Sequence, residues 1–335
     1  MIDYLKVLLE EEDIKEVRRK LTNLKPTIKL SDLPSFATLD IVKEEIQQII
    51  DTFTLDRQKY YIKRLIKGLT VTKYNKLNNI NLNRWKEYKD LLTDSLWIFK
   101  KRKSTGKHSA GYHGNFIPQI PYQLFSRFTK KGDWVLDTFL GSGTSLIECK
   151  NMGRNGVGVE ISEDVAEETY KNIKDQDNPH DIRTEIINDD CTSVDYKKHL
   201  DRIGIDKFQF VIMHPPYWDI IKFSDEENDL SNTESMEDFL ILMGKAVDNA
   251  YDVLEKGKYL AIIIGDKYNK GEWIPLSSYV MTEVMKRKFK LKSVIVKNFE
   301  DTKAKMNKKD LWRYRALVGG FYVFKHEYIY LFQKK

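Results

Sequence analysis

The stretch from Asp133 to Cys149, DWVLDTFLGSGTSLIEC, limits what this chain can fold into more than any other. Val135 and Leu136 read as a buried strand and Leu146 and Ile147 as the start of a helix, with Phe139, Gly141 and Gly143 in the turn between them. Glycine has no Cβ, so such a turn can bend tightly and let a ligand approach the backbone. Strand, glycine turn and helix N-terminus together make a ligand cradle at the carboxyl edge of a parallel sheet. A phosphate-binding P-loop requires Lys and then Ser or Thr after its last glycine, but Thr144 and Ser145 follow Gly143 with no lysine. A dinucleotide fingerprint wants a third glycine where Leu146 stands. Both fit poorly.

The second anchor is Phe208 to Met213, FQFVIM, an apolar run of strand length followed directly by His214-Pro215-Pro216-Tyr217. Two prolines end a strand, stiffen the turn and contribute carbonyls but no donors. With both motifs present, the chain resembles the DNA aminomethyltransferases. Their glycine turn reads DxFxGxGT, and their signature is Asp, Asn or Ser followed by Pro-Pro-Tyr or Pro-Pro-Phe. The resemblance covers roughly residues 112 to 335. It implies a Rossmann-like α/β sheet with helices on both faces, S-adenosylmethionine as cofactor, and methylation of an exocyclic amine in double-stranded DNA. The product would be N6-methyladenine or N4-methylcytosine, on a base extruded from the duplex.

Carried over residue by residue, the resemblance assigns Asp137, Phe139, Gly141, Gly143 and Thr144 to the cofactor turn. The segment FIPQIPYQLFSRF (Phe116 to Phe128) resembles the element ahead of that turn, so Gln119 joins the cofactor set, while Phe116 stands where relatives carry His. Glu160 ends GVGVE seventeen residues after Gly143, close to the usual offset of an acid that binds ribose hydroxyls. Asp190 matches the acid beside the cofactor's adenine, with Asp189 as the neighbouring alternative. The catalytic group is His214, Pro215, Pro216 and Tyr217, and His214 departs from the family pattern. Relative to many members with this glycine turn, the motif order is permuted.

The chemistry explains why the departure matters. An exocyclic amine is a poor nucleophile because its lone pair is conjugated with the ring. Two acceptors around the NH2, the Pro215 carbonyl and the side chain at 214, can pull it out of plane. Neutral imidazole accepts through one nitrogen, whereas imidazolium only donates, so His214 must be neutral. An unperturbed histidine titrates near pH 6.5, and burial lowers that value. His214 also removes the usual clue to adenine or cytosine. Two other readings stay open: an RNA base aminomethyltransferase, and a catalytically silent DNA-binding subunit of a modification complex.

Net charge is +6, but its placement says more: Leu55 to Lys107 holds fifteen Lys or Arg against four Asp or Glu, and Lys286 to Arg315 is a second basic stretch. Basic runs interleaved with Tyr and Trp suit a polyanion. The expected division is a basic helical region over 1–107, for target recognition or DNA clamping, and a catalytic domain over 108–335, with a recognition insertion at 299–324. Within the first region one helix is expected over 1–25, then Leu39–Phe53 and Asp56–Leu69 capped by Asp40 and Asp56, then a helix over Arg84–Phe99. The last two strands, Leu291–Lys297 and Glu327–Phe332, are expected as a hairpin on the sheet edge. Cys149 and Cys191 suit packing in a reducing compartment rather than a disulfide. The histidines show no metal spacing. No run of eighteen apolar residues or signal peptide is present, so a cytoplasmic protein without membrane contact is expected, with a cognate restriction system as a further partner.

Overall fold

The computed structural model describes residues 1–103, 108, 114–269, 271–298 and 309–335, in two compact units, Met1–Leu91 and Leu92–Lys335. Parts of both basic runs, 104–107 and 299–308, lie outside the described residues.

In the first unit, helices α1 (Ile2–Val7), α2 (Ile14–Leu24), α3 (Leu39–Ile50) and α4 (Leu55–Thr70) share a core that includes Leu5, Leu21, Ile46 and Ile62. The single helix expected over 1–25 is two. The acidic run Glu10–Asp13 interrupts it, and Asp13 caps α2 by accepting the Lys15 N–H. The cap positions of α3 and α4 are Thr38 and Thr54, and Thr54 accepts the Arg57 N–H. Asp40 and Asp56 lie instead in the first turns, where carboxylates favour the helix dipole. Arg84 to Phe99 is not a helix: Leu82–Glu87 is a 3₁₀ segment, and Leu96–Trp97 forms strand β1. Buried Arg84 pairs with Glu45 and Glu87, which ties that segment to α3.

The second unit alternates helix and strand: α5 (Gln119–Phe128), β2 (Trp134–Asp137), α6 (Thr144–Met152), β3 (Asn155–Glu160), α7 (Glu163–Lys174), β4 (Thr184–Asn188), α8 (Tyr196–Ile203) and β5 (Phe208–Met213). Then come α9 (Met236–Val253), β6 (Leu254–Ile264), the small hairpin β7 (Lys267–Asn269) and β8 (Glu272–Ile274), α10 (Leu276–Met285), β9 (Phe289–Asn298), α11 (Lys309–Gly319) and β10 (His326–Lys334). The main sheet has the order β1-β9-β10-β6-β5-β2-β3-β4. Only β10 runs antiparallel to its neighbours. This is the expected mixed α/β class. Because β1 pairs in parallel with β9, the β9–β10 hairpin is one strand in from the edge.

Strand β2 is buried along its whole length, so both faces carry helices, as an apolar parallel strand requires. It borders β3 on one side and β5 on the other. Strand order reverses there, and the crevice at the carboxyl ends of such strands is where α/β sheets bind ligands. Cys149 and Cys191 are buried free thiols. Among the described residues no helix is long and apolar enough to cross a membrane.

Candidate active site

A cavity of about 810 Å³ opens at that crevice. The turn after β2 forms one wall with Phe139, Gly141 and Thr144, and the ends of β3 and β4 add Glu160, Asp189 and Asp190. The turn after β5 supplies the opposite wall with His214, Pro215, Pro216 and Tyr217. Two motifs more than seventy residues apart in sequence thus face one space.

Gly143 caps α6 with φ +79°, a left-handed conformation that favours glycine. A Cβ there would also come within 2.7 Å of Thr169 on α7. Gly143 shapes the turn without lining the cavity. Asp137 acts from behind in the same way. Fully buried, it accepts from the Phe139 N–H at 3.1 Å and from the Ser145 hydroxyl, tying the turn to the start of α6. Burial pushes its pKa up to about 6 against those two hydrogen bonds, and the charge of Glu160 adds to the rise. Gln119 does not reach the cavity. Its side chain bonds the backbone of Lys101 and Lys103, fastening that segment to α5.

Glu160 is almost fully buried and accepts from Gly141 N–H at 2.8 Å and Ser162 N–H at 3.1 Å. Burial raises its pKa, with nearby Asp229 adding to the rise and the backbone bonds opposing it. A carboxylate offers about four lone-pair directions, so acceptor capacity is left at the cavity wall. The Asp190 carboxylate is drawn into its own turn by Thr192 N–H at 2.8 Å and the Thr192 and Ser193 hydroxyls. Thr138 lines the cavity with a buried hydroxyl that has no hydrogen-bond partner among the described residues. An acid at the end of β3, acids at the end of β4 and an orphaned hydroxyl fit a ligand bearing a ribose diol and an amino-purine.

On the other wall, the His214 ring sits 5.3 Å from Phe116, centroid to centroid. Its Nε2 is 3.3 Å from the Tyr217 hydroxyl. Burial pushes the His214 pKa down to about 4; Glu327 opposes that shift and Lys297 adds to it. The Tyr217 hydroxyl donates to Glu327 Oε2 at 2.8 Å, and Glu327 Oε1 lies 3.0 Å from Lys297 Nζ, both ends of that pair being buried. Burial and the Glu327 carboxylate raise the tyrosine pKa well above its ordinary value. Gly265, at the end of β6, leaves room for this ring: a Cβ there would stand 2.6 Å from Tyr217 Cε2. Trp218, at φ +56°, donates its indole N–H to the Thr233 carbonyl and carries Lys267 over its ring at 4.2 Å. Asp266 is structural, accepting Ser277 N–H at 2.9 Å at the start of α10 and the Trp273 indole N–H at 3.1 Å.

No motif in the sequence points to Lys297, Glu327 or Asn115. Asn115 accepts from the Ser142 hydroxyl at 2.6 Å and holds the segment ahead of α5 against the glycine turn.

A family model described as a DNA methylase, of the N6/N4 type, matches residues 29–171 and 208–335. Among curated proteins, the chain is similar to the Type II methyltransferase M.MjaII of Methanocaldococcus jannaschii, 28% identical over 39% of this chain and 29% of that protein. It is also similar to M.MthZI of Methanothermobacter thermautotrophicus, 35% identical over 24% of this chain and 21% of the relative. M2.DpnII of Streptococcus pneumoniae is 34% identical over 28% of this chain and 33% of its own length. The alignments thus span a third or less of these relatives' length.

Proposed function

From a chain that belongs to the DNA methylase family, we propose a site-specific enzyme that methylates the N6 amine of adenine or the N4 amine of cytosine on a base extruded from double-stranded DNA. The observation that carries the reading is one shared cavity, walled by Glu160 and the glycine turn on one side and by His214 to Tyr217 on the other. When bound, S-adenosylmethionine supplies an electrophilic sulfonium methyl.

Glu160 would hold the ribose hydroxyls. Asp189 or Asp190 would take the adenine edge and the Gly141 turn the cofactor's body. The Pro215 carbonyl and neutral His214 accept from the target NH2, localising its lone pair toward the methyl. Most of the rate enhancement comes from this alignment rather than from proton transfer. Extrusion brings the base to the Tyr217 ring, which stacks on it. The low pKa of His214 favours this active reading over a silent DNA-binding subunit, because the acceptor stays neutral at physiological pH.

The basic helical region and residues 299–324 are the candidates for gripping and reading DNA. The Type II names of the relatives favour a partner restriction enzyme, and DNA as substrate favours the cytoplasm. The test is to express the chain in a methylation-free host, digest the DNA and identify modified nucleosides by mass spectrometry. N6-methyladenine or N4-methylcytosine is expected; DNA without either, alongside methylated RNA, would favour the RNA reading.

A further inference from the structure

The wall opposite the glycine turn contains a chain of four polar side chains, Lys297 and Glu327 buried and Tyr217 and His214 half-buried. Lys297 on β9 and Glu327 on β10 are register partners across the hairpin, so pairing of the two strands brings them together. Their ammonium and carboxylate lie 3.0 Å apart, each less than a tenth exposed. Beside that ammonium Glu327 is a carboxylate and can only accept. The Tyr217 hydroxyl has one proton, and the 2.8 Å contact with Glu327 Oε2 takes it. The tyrosine oxygen can then meet His214 Nε2, 3.3 Å away, only as an acceptor. Nε2 must therefore carry the imidazole proton.

We propose that the Lys297–Glu327 pair, acting through Tyr217, fixes His214 as the Nε2–H tautomer and leaves Nδ1 as its lone-pair nitrogen. On the methyltransferase reading, which the second half of this inference rests on, Nδ1 is the atom that accepts from the target amine. Lys297, Glu327 and the tyrosine hydroxyl are then positioning groups, which act on the reaction only through His214. The arrangement explains how a histidine can occupy a position where relatives carry Asp, Asn or Ser. Those side chains present an acceptor oxygen without help, whereas imidazole presents one acceptor nitrogen and needs a neighbour to choose which. It also gives the tyrosine hydroxyl a purpose that stacking on a base does not require.

Nitrogen-15 NMR of the full chain with labelled histidine tests this directly. His214 is assigned by the signals lost in His214→Asn. At neutral pH the expected spectrum has a pyrrole-type resonance at Nε2 and a pyridine-type resonance at Nδ1. The reverse assignment in the wild type overturns the inference, whether or not the protein methylates DNA. Glu327→Gln removes the counter-charge of a buried lysine and risks misfolding, so Tyr217→Phe is the working variant: it keeps the ring and the ion pair and deletes only the hydroxyl. Without that hydroxyl, His214 should populate both tautomers, and the single-turnover rate should fall in proportion to the fraction left as Nε2–H, about twofold where the two are equally populated. The variant's affinity for S-adenosylhomocysteine should be unchanged. A Tyr217→Phe protein with one fixed tautomer and wild-type rate would show that the chain of contacts does not set the acceptor. Absence of methylation by the wild type as well as the variants, with the expected wild-type spectrum, leaves the tautomer assignment standing and removes the methyltransferase reading alone.

Discussion

A histidine that must accept a hydrogen bond works only while neutral, so the His214 pKa sets the acid limit of the proposed reaction. Desolvation holds it at about 4, with Glu327 and Lys297, the charged groups that act on it, pulling in opposite directions. The single-turnover rate should therefore be flat where an ordinary histidine titrates, near pH 6.5, and fall only as pH approaches about 4. Quenched-flow rates across that range test this, and a break near 6.5 would mean the ring is freely hydrated. His214→Asn keeps an acceptor oxygen and should retain partial activity without an acid limb, whereas His214→Ala should lose rate yet still bind cofactor. Glu160 offers a separate test. Glu160→Ala removes charged acceptor capacity from the opposite wall and frees Gly141 and Ser162 N–H. Calorimetry should show S-adenosylhomocysteine binding weakened roughly 10- to 100-fold, the scale of hydrogen bonds to a charged group. Affinity equal to wild type would place the cofactor elsewhere.

At the scale of elements, the β2 carboxyl end is where stability and site are most tightly joined. Asp137 titrates near 3.8 when unfolded and about 6 when folded. The unfolded chain releases this proton first, so the group's contribution is complete below about pH 4 and is lost as pH rises through 6. The full span is on the order of 3 kcal/mol at 1.36 kcal/mol per pK unit. His214 has the opposite sign, contributing above pH 6.5 and losing that contribution as pH falls toward 4. Urea unfolding of wild type and Asp137→Asn from pH 4 to 7 separates the two, because Asn keeps an acceptor for Phe139 N–H and cannot ionise. The variant should gain on the wild type as pH rises; parallel curves would show that Asp137 is hydrated. The elements themselves are legible where their signal is local. FQFVIM reads as a strand over Phe208–Met213 and has those limits, and the helix expected to start at Leu146 and Ile147 begins two residues earlier, at Thr144. Lys297 and Glu327 are illegible because a charged residue in a lysine-rich strand looks solvent-facing. Only the β9–β10 register buries each against the other. Strand β1 is two residues long, too short for any alternation to reveal it. Gln119 and Asp137 match the family's pattern, but their side chains are spent on internal hydrogen bonds, Gln119 to the backbone of Lys101 and Lys103, Asp137 to Phe139 N–H and the Ser145 hydroxyl.

Across the whole molecule, net charge alone decides little, because many charges are used internally. Leu55 to Leu91 holds ten Lys or Arg against three Asp or Glu, yet Arg84 is consumed by Glu45 and Glu87, and Lys89 faces Glu44. Five of the eight that remain lie on α4, where Arg57, Tyr60, Arg64 and Lys67 are exposed at helical spacing and form one basic, aromatic stripe. Such a stripe suits phosphates, whose condensed counterions are released as basic side chains replace them. DNA affinity should then fall steeply with salt, and each phosphate contact removed should flatten the slope of log affinity against log salt by about 0.9. Arg64→Gln with Lys67→Gln tests this without touching the buried residues of α4 or the cavity. The expected result is a slope shallower by roughly two, with S-adenosylhomocysteine affinity and thermal stability unchanged, read by fluorescence anisotropy and calorimetry. A deletion of residues 1–91, shown by circular dichroism to keep its α/β fold, should lose more affinity for DNA than for the cofactor. If the paired variant keeps the wild-type slope, the duplex is gripped by other basic residues, with the run around Lys100 and the strand β9 lysines next to be tested.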